Sequence, residues 1–300
     1  MDINSLPRPA WAYDPAMAAQ HCGAFIKDTL ERSGLDRLIL GLSGGIDSAV
    51  SAGLAVRALG PDKVRGVMMP YTSSSAESLT DALAVAQTLG METETVNIAP
   101  MADAFLRDIP ADALLRRGNI MARCRMVVLY DCSARDGALV LGTGNRTESL
   151  LGYTTLFGDS ACALNPLARL YKTEVRLLSA WLGLPDSVLT KAPSADLWPG
   201  QSDEQELGFT YTEVDELLHA MVDRRLDAAA LRAAGFAADF IRTVSARVRA
   251  MAFKRQPIPV AEFAGRLDPD PDLVRAQDPV QDPDQDPDQE KGKDKDGGFH

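Results

Sequence analysis

Histidine is scarce: only His21, His219 and His300 occur in 300 residues. With His300 at the terminus, a histidine-based hydrolytic triad or a multi-histidine metal centre would need the other two, so neither is expected. Cysteine is nearly as rare. Cys22, Cys124, Cys132 and Cys162 form no CxxC pair and no zinc or disulfide spacing, and read as small apolar side chains. Long apolar runs are missing too: none approaches the ~20 residues that cross a bilayer. The N-terminal MDINSLPRPAW lacks the basic-then-apolar pattern of a secretory signal. No membrane partner and a cytoplasmic location follow as expectations.

Positive charge is also short. The formal net charge is −11; from Arg266 to His300 eleven acidic and five basic side chains leave −6, so the rest carries −5. That sign is wrong for a protein that holds RNA or DNA through its phosphates, and no nucleic-acid partner is expected.

What is present is an alternation. Apolar runs suited to buried parallel strands occur at Leu38–Leu42, Val64–Met69, Thr93–Ile98 and Ala138–Leu141. Helical patterns lie between them, over Ala16–Arg32, Asp47–Leu59, Ala76–Leu89 and Ala122–Ala134. The expected fold is therefore α/β, a doubly wound parallel sheet flanked by helices. From Thr173 the pattern turns helical (Glu174–Leu182, Thr212–Val222, Ala237–Ala252), which predicts a helical C-terminal portion. Residues 1–15 read as an extension, 16–264 as the folded domain, and the Asp-Pro repeats of 265–300 as a disordered acidic tail.

The most informative string is GLSGGIDSA, Gly41 to Ala49, directly after LILGL and before a helix. Gly44 and Gly45 permit a tight turn and close approach of a ligand to the backbone. The open amides and dipole of the helix start form an anion site. Asp47 beside an anion makes sense if a cation such as Mg²⁺ sits between them. The plainer alternative is that Ser43 and Asp47 only cap the helix and the glycines only turn the chain. No lysine follows the glycines as in GxxxxGK[ST], and GTGNRT at Gly142 has Thr147 where the third glycine of GxGxxG belongs. ALVLGT is a strand leading into a loop, so Thr143 and Glu148 are expected at the sheet edge that carries the Gly41 loop.

Gly41–Ser48 resembles the SGGxDS pyrophosphate loop of the N-type ATP pyrophosphatases, which include NAD, GMP and asparagine synthetases and several tRNA-modifying enzymes. NIMARCRMVVLY (Asn119–Tyr130), LGTGNRTESLLGYTTLFGD (Leu141–Asp159), NPLARLYKTEV (Asn165–Val175), KAPSADLWPGQSDEQELGFTY (Lys191–Tyr211) and AFKRQPIP (Ala252–Pro259) follow in the order seen in NAD synthetases. The resemblance covers about Ala16 to Val260 and points to the ammonia-dependent branch of that family. It implies a Rossmann-like, adenine nucleotide alpha-hydrolase-like fold. It also implies a ligase that amidates deamido-NAD with ammonia, through an adenylate, as ATP gives AMP and pyrophosphate.

The resemblance further implies that Gly41, Leu42, Ser43, Gly44, Gly45, Ile46, Asp47, Ser48, Thr143, Lys172 and Ser194 bind ATP. Asp47 and Glu148 would hold Mg²⁺, Asp47 and Lys172 would be catalytic, and Arg123 and Lys254 would contact the dinucleotide. Arg125 is read as structural, and Asp159 is a candidate base for the ammonium ion. The family is commonly a homodimer, which makes a second copy the expected partner. Glutamine-dependent relatives carry an extra amidase domain ahead of this one; about fifteen residues precede the first helix here, so free ammonia is expected. The chain departs from the family at Phe253, where histidine is usual, at Leu156 and Ala163, which receive no binding role, and at YTSSSAES after Pro70. Two competing readings remain: a tRNA-modifying enzyme with the same loop, and a non-catalytic nucleotide-binding module.

Overall fold

Short, strongly apolar strands need cover on both faces, and the chain supplies it with helices. The computed structural model describes Leu6 and residues 8–194, 196–198 and 201–261. Strands β1 (Arg37–Gly41), β2 (Val64–Met68), β3 (Glu92–Thr95) and β4 (Ala138–Val140) form one sheet in the order β3-β2-β1-β4. All neighbouring pairs are parallel, with Leu40 opposite Gly66 and Ile39 opposite Val140. Leu38 and Leu40 bury into one core while Ile39 between them buries into another with Val67 and Cys132. Alternate residues of one strand thus face opposite layers, as a doubly wound sheet requires.

Helix α1 (Pro15–Ser33) is capped by Asp14, whose carboxylate accepts from the Ala16 and Met17 amides. With α2 (Ile46–Leu59) and α3 (Ala76–Leu89) it shares the first core, around Ile26, Ala49, Leu54 and Val85. Helices α4 (Ala99–Leu106) and α5 (Leu114–Asp136) cover the opposite face through Ala102, Met121, Cys124 and Cys132. From β1 the chain runs outward through β2 and β3, then returns to pair β4 on the other side of β1. The crevice beyond the carboxyl ends of β1 and β4 is therefore the switch point where ligands settle in such sheets.

After α6 (Arg146–Leu151) the C-terminal portion is helical, with α7 (Lys172–Trp181), α10 (Tyr211–Leu218) and α12 (Ala238–Ala250) where helices were expected and α8 (Asp186–Thr190), α9 (Asp203–Leu207) and α11 (Ala228–Ala233) in addition. A second core forms here around Leu151, Tyr211, Val214, Leu217 and Val244, while α7 sends Val175 and Leu178 into the first. Residues through Gln256 make one compact unit; the described residues after it, 257–261, are exposed and form neither helix nor strand. Residues 265–300, expected to be a disordered tail, lie outside the described residues. Among the described residues no helix is long and apolar enough to cross a membrane.

Several elements differ from expectation. β3 is the polar ETET segment, and Val96 and Ile98 continue its pairing irregularly through bonds to the Met68 and Pro70 carbonyls. α5 begins at Leu114, two turns before Ala122. The expected single helix over 212–222 changes to a π turn at His219–Asp223, where His219 stacks on Trp11 at 4.7 Å. Trp11 also donates to Glu216 and the Tyr13 amide to Glu174, so part of the 1–15 segment is tied to the helical layer.

Candidate active site

The loop after β1 is folded by its own hydroxyls. The Ser43 amide donates to Ser48 Oγ at 3.2 Å and the Gly45 amide to Ser43 Oγ at 3.2 Å, while Ser48 Oγ donates to the Gly45 carbonyl at 2.9 Å. Gly44 sits at φ +79°, and a Cβ there would lie 2.1 Å from the Ser78 carbonyl oxygen. Only glycine fits. Gly45 caps α2 without a side chain, so the amides at this helix start face the crevice as an anion cradle.

Asp47, on the first turn of α2, accepts from Asn145 Nδ2 at 2.8 Å and from Lys172 Nζ at 2.5 Å. Lys172 Nζ also reaches Glu148 Oε1 at 3.1 Å. Three residues far apart in sequence thus meet above the carboxyl ends of β1 and β4, with the Lys172 ammonium as the cation between two carboxylates. Lys172 is 3% exposed, against 19% for Asp47 and 17% for Glu148. Burial, foremost, and the like charge of Asp47 raise the Glu148 carboxyl above the ordinary range, against the pull of Lys172. Burial opposes the Lys172 ammonium, but Asp47 and Glu148 outweigh it and hold its pKa up.

Asp203 adds a third acidic group. It is buried, accepts from Tyr153 at 3.0 Å and Tyr211 at 3.1 Å, and burial raises its pKa. The Tyr211 ring lies under Lys172 Nζ at 4.9 Å, a cation–π contact that steadies the ammonium. Ser43, Asp47, Glu148, Tyr153, Lys172 and Asp203 open on one cavity of about 730 Å³, within the ~300–1,000 Å³ of small-molecule sites; Asn145 and Tyr211 stand behind its wall.

The NAD synthase family model matches residues 18–258. The chain belongs to the NAD synthase family. It is 52% identical to the NH(3)-dependent NAD(+) synthetase of Pelodictyon phaeoclathratiforme over 81% of this chain and 88% of that protein. It is also 52% identical to the enzyme of the same name from Trichlorobacter lovleyi, over 81% and 89%. Among solved structures, the NH3-dependent NAD synthetase of Campylobacter jejuni superposes with a TM-score of 0.71 at 35% identity, covering 83% of this chain and 100% of that one. The NMN synthetase of Francisella tularensis gives 0.73 at 33% identity, covering 84% and 100%. NAD synthase family membership and these neighbours settle the fold class as the Rossmann-like α/β architecture expected from the sequence.

Within this NAD synthase fold, most of the predicted residues gather at the cavity. Gly41, Leu42, Ser43, Gly45, Asp47 and Ser48 line one wall, and Thr143, Glu148, Lys172, Ser194 and Lys254 line others. Gly44 and Ile46 lie off the wall: Gly44 abuts the Ser78 carbonyl and Ile46 is buried in the first core. Arg123 is exposed, lies off the cavity and donates to the Leu156 carbonyl. Arg125 lines the cavity instead, with its Nε on the Met69 carbonyl. Lys254 Nζ holds the Gly152 and Thr154 carbonyls at 2.8 and 2.6 Å. Asp159 lines the cavity too, but it takes the Thr154 hydroxyl and the Thr155 amide, fixing the turn after α6.

Sequence reasoning missed Asn145, Tyr153, Asp203 and Tyr211. For Asn145 a signal existed: NRTE at 145–148 is a capping box, and Asn145 Oδ1 accepts from the Glu148 amide while Glu148 accepts from the Asn145 amide. The same cap that starts α6 aims Asn145 Nδ2 at Asp47. Asp203 and the tyrosines carry no local pattern that distinguishes them from core residues.

Proposed function

We propose that this chain is a ligase that makes NAD from deamido-NAD and ammonia, with ATP going to AMP and pyrophosphate. The observation that carries the reading is the meeting of Asp47, Glu148 and Lys172 beside the Gly41–Ser48 loop in one cavity. Relatives named NH(3)-dependent NAD(+) synthetases at 52% identity support the substrate and the nitrogen source.

A carboxylate resists amidation because its leaving group is oxide. Attack of the nicotinate oxygen on the α phosphorus of ATP expels pyrophosphate; attack of ammonia on the acyl carbon then expels AMP. The α2 amides cradle the departing phosphates, Ser43, Ser48, Thr143 and Ser194 orient the nucleotide, and Lys172 neutralises charge as pyrophosphate leaves. Lys254 and Arg125 supply positive charge on the dinucleotide side.

The donor chemistry fits a magnesium ion. Asp47 and Glu148 are hard oxygen donors on the first turns of α2 and α6. Mg²⁺ takes one or two carboxylates and completes its shell with phosphate oxygens and water. Bound there, it would supply electrostatic clamping of the triphosphate. The protein works in the cytoplasm as a homodimer. Val127, Tyr130 and Phe157 are exposed apolar side chains. Arg123, four residues before Val127 on α5, reaches the Leu156 carbonyl beside Phe157, so a second copy covering this face would also meet Arg123.

The purified protein given deamido-NAD, ATP, Mg²⁺ and an ammonium salt, without RNA, is expected to form NAD and AMP in equal amounts. ATP cleavage without NAD, or turnover that needs added RNA, would overturn the reading.

A further inference from the structure

Helix α7 begins at Lys172, yet its N-cap residue, Tyr171, makes no side-chain capping bond. The first amides of a helix have no partner within it, and here they are met from other helices. The Lys172 amide donates to Thr147 Oγ1 at 3.0 Å, and the Thr173 amide donates to Asp215 Oδ2 at 2.8 Å. The Thr147 hydroxyl donates onward to Asp215 Oδ1 at 2.5 Å, and the Thr173 hydroxyl to Asp215 Oδ2 at 2.7 Å. Asp215, on α10, is 0% exposed. A buried carboxylate, with no ion pair among the described residues, is expensive to keep. What this one does is join the starts of α6 and α7, whose side chains Glu148 and Lys172 meet each other, Lys172 also reaching Asp47.

We propose that Asp215, acting through Thr147 and Thr173, is a positioning residue that sets Lys172 against Asp47 and Glu148. The proposal rests on the reading of Lys172 as the group that meets the ATP phosphates. Asparagine at 215 could still accept both Thr173 donors on its carbonyl oxygen. Its NH₂ would then face Thr147 Oγ1, which already accepts from Lys172, so the Thr147 proton would lose its acceptor. Valine at 147 removes the link outright and leaves the Lys172 amide unpaired, whereas serine keeps it.

The test is steady-state kinetics of NAD formation by the full chain, with rates referred to folded protein by circular dichroism. Thr147→Val and Asp215→Asn are expected to lower kcat about 10–100-fold, the scale of a ~1 Å misplacement, with KM for ATP within about 3-fold. Thr147→Ser is expected to recover kcat to within about 3-fold. The Thr147→Val/Asp215→Asn double variant is expected to be no worse than the poorer single one, because both break the same link. If Thr147→Val fails to fold, Asp215→Asn against Thr147→Ser reads the same contrast. Unchanged kcat per folded molecule, multiplicative losses in the double variant, or no rescue by serine would overturn the proposal. Lys172→Ala separates the layers. If it keeps its turnover, the role of Lys172 is wrong and the proposal falls with it; if it is inactive while Thr147→Val is normal, only the positioning role fails.

Discussion

The loop after β1 and the start of α7 face the same cavity but are held by different means. In the loop, the bonds among Ser43, Gly45 and Ser48 span five residues or fewer. At the start of α7, Lys172 and Thr173 are held by Thr147, Asp215 and Asp47, which lie 25, 42 and 125 residues away. The loop is closed mainly by its own hydroxyls, with Gly44 seated against the Ser78 carbonyl of α3. A lysine braced from three helices is placed only when the whole domain has folded. The first half of the site therefore depends mainly on a few side chains in a row, the second on the packing of α2, α6, α7 and α10.

Gly44→Ala is the sharpest way to break the local half. Its Cβ would press the Ser78 carbonyl, and φ +79° would add strain. A loss of about 3–5 kcal/mol is expected, measured by denaturant unfolding, with turnover lost alongside. A near-neutral variant would mean that the loop and α3 are not locked together.

The long-range half responds to pH at Asp215. Burial pushes its carboxyl up to about 6, against the pull of Thr147 and Thr173, above the ~3.9 of an unfolded aspartate. A raised folded-state value means that the protonated form favours folding: its contribution is full below about pH 4 and lost as pH climbs through about 6. Across that window the stability of wild type relative to Asp215→Asn should fall by up to about 3 kcal/mol. Unfolding curves of both proteins from pH 4 to 7 read this directly, and a constant difference would contradict it.

The same contrast explains what was legible in the sequence. LILGL, ALVL and the GLSGGIDSA loop are local signals, and strands β1 and β4 and helix α2 appear where those strings place them. The apolar pattern misled at β3, where the paired residues are polar Glu92–Thr95 and the apolar Val96 and Ile98 follow them. α4 was not anticipated because Pro100 reads as a breaker, though it stands at the helix start, where proline is tolerated. The early turns of α5 contain Gly118, a residue that weakens a helical pattern, packed here against the side chains of Leu197 and Trp198. Lys172 was singled out only through the family resemblance, whereas Glu148 was also expected at the sheet edge from the ALVLGT strand and loop; the two side chains lie 3.1 Å apart. Asp203, Tyr211 and Asp215 owe their positions to the second core, and a core tyrosine or buried aspartate leaves no periodic trace.

The measurement that bears most directly on the shared site is NAD formation by Asp47→Asn. Asparagine keeps the size and one acceptor for Asn145 or Lys172 but removes the charge that faces Lys172 and that, in the proposed function, would share a magnesium ion with Glu148. Turnover at saturating ATP is expected to fall at least about 1,000-fold, the upper range for removing one preorganised electrostatic group, while the protein stays folded. Turnover within about 10-fold of wild type would contradict the account, because the two carboxylates would then be meeting Lys172 for structural reasons alone.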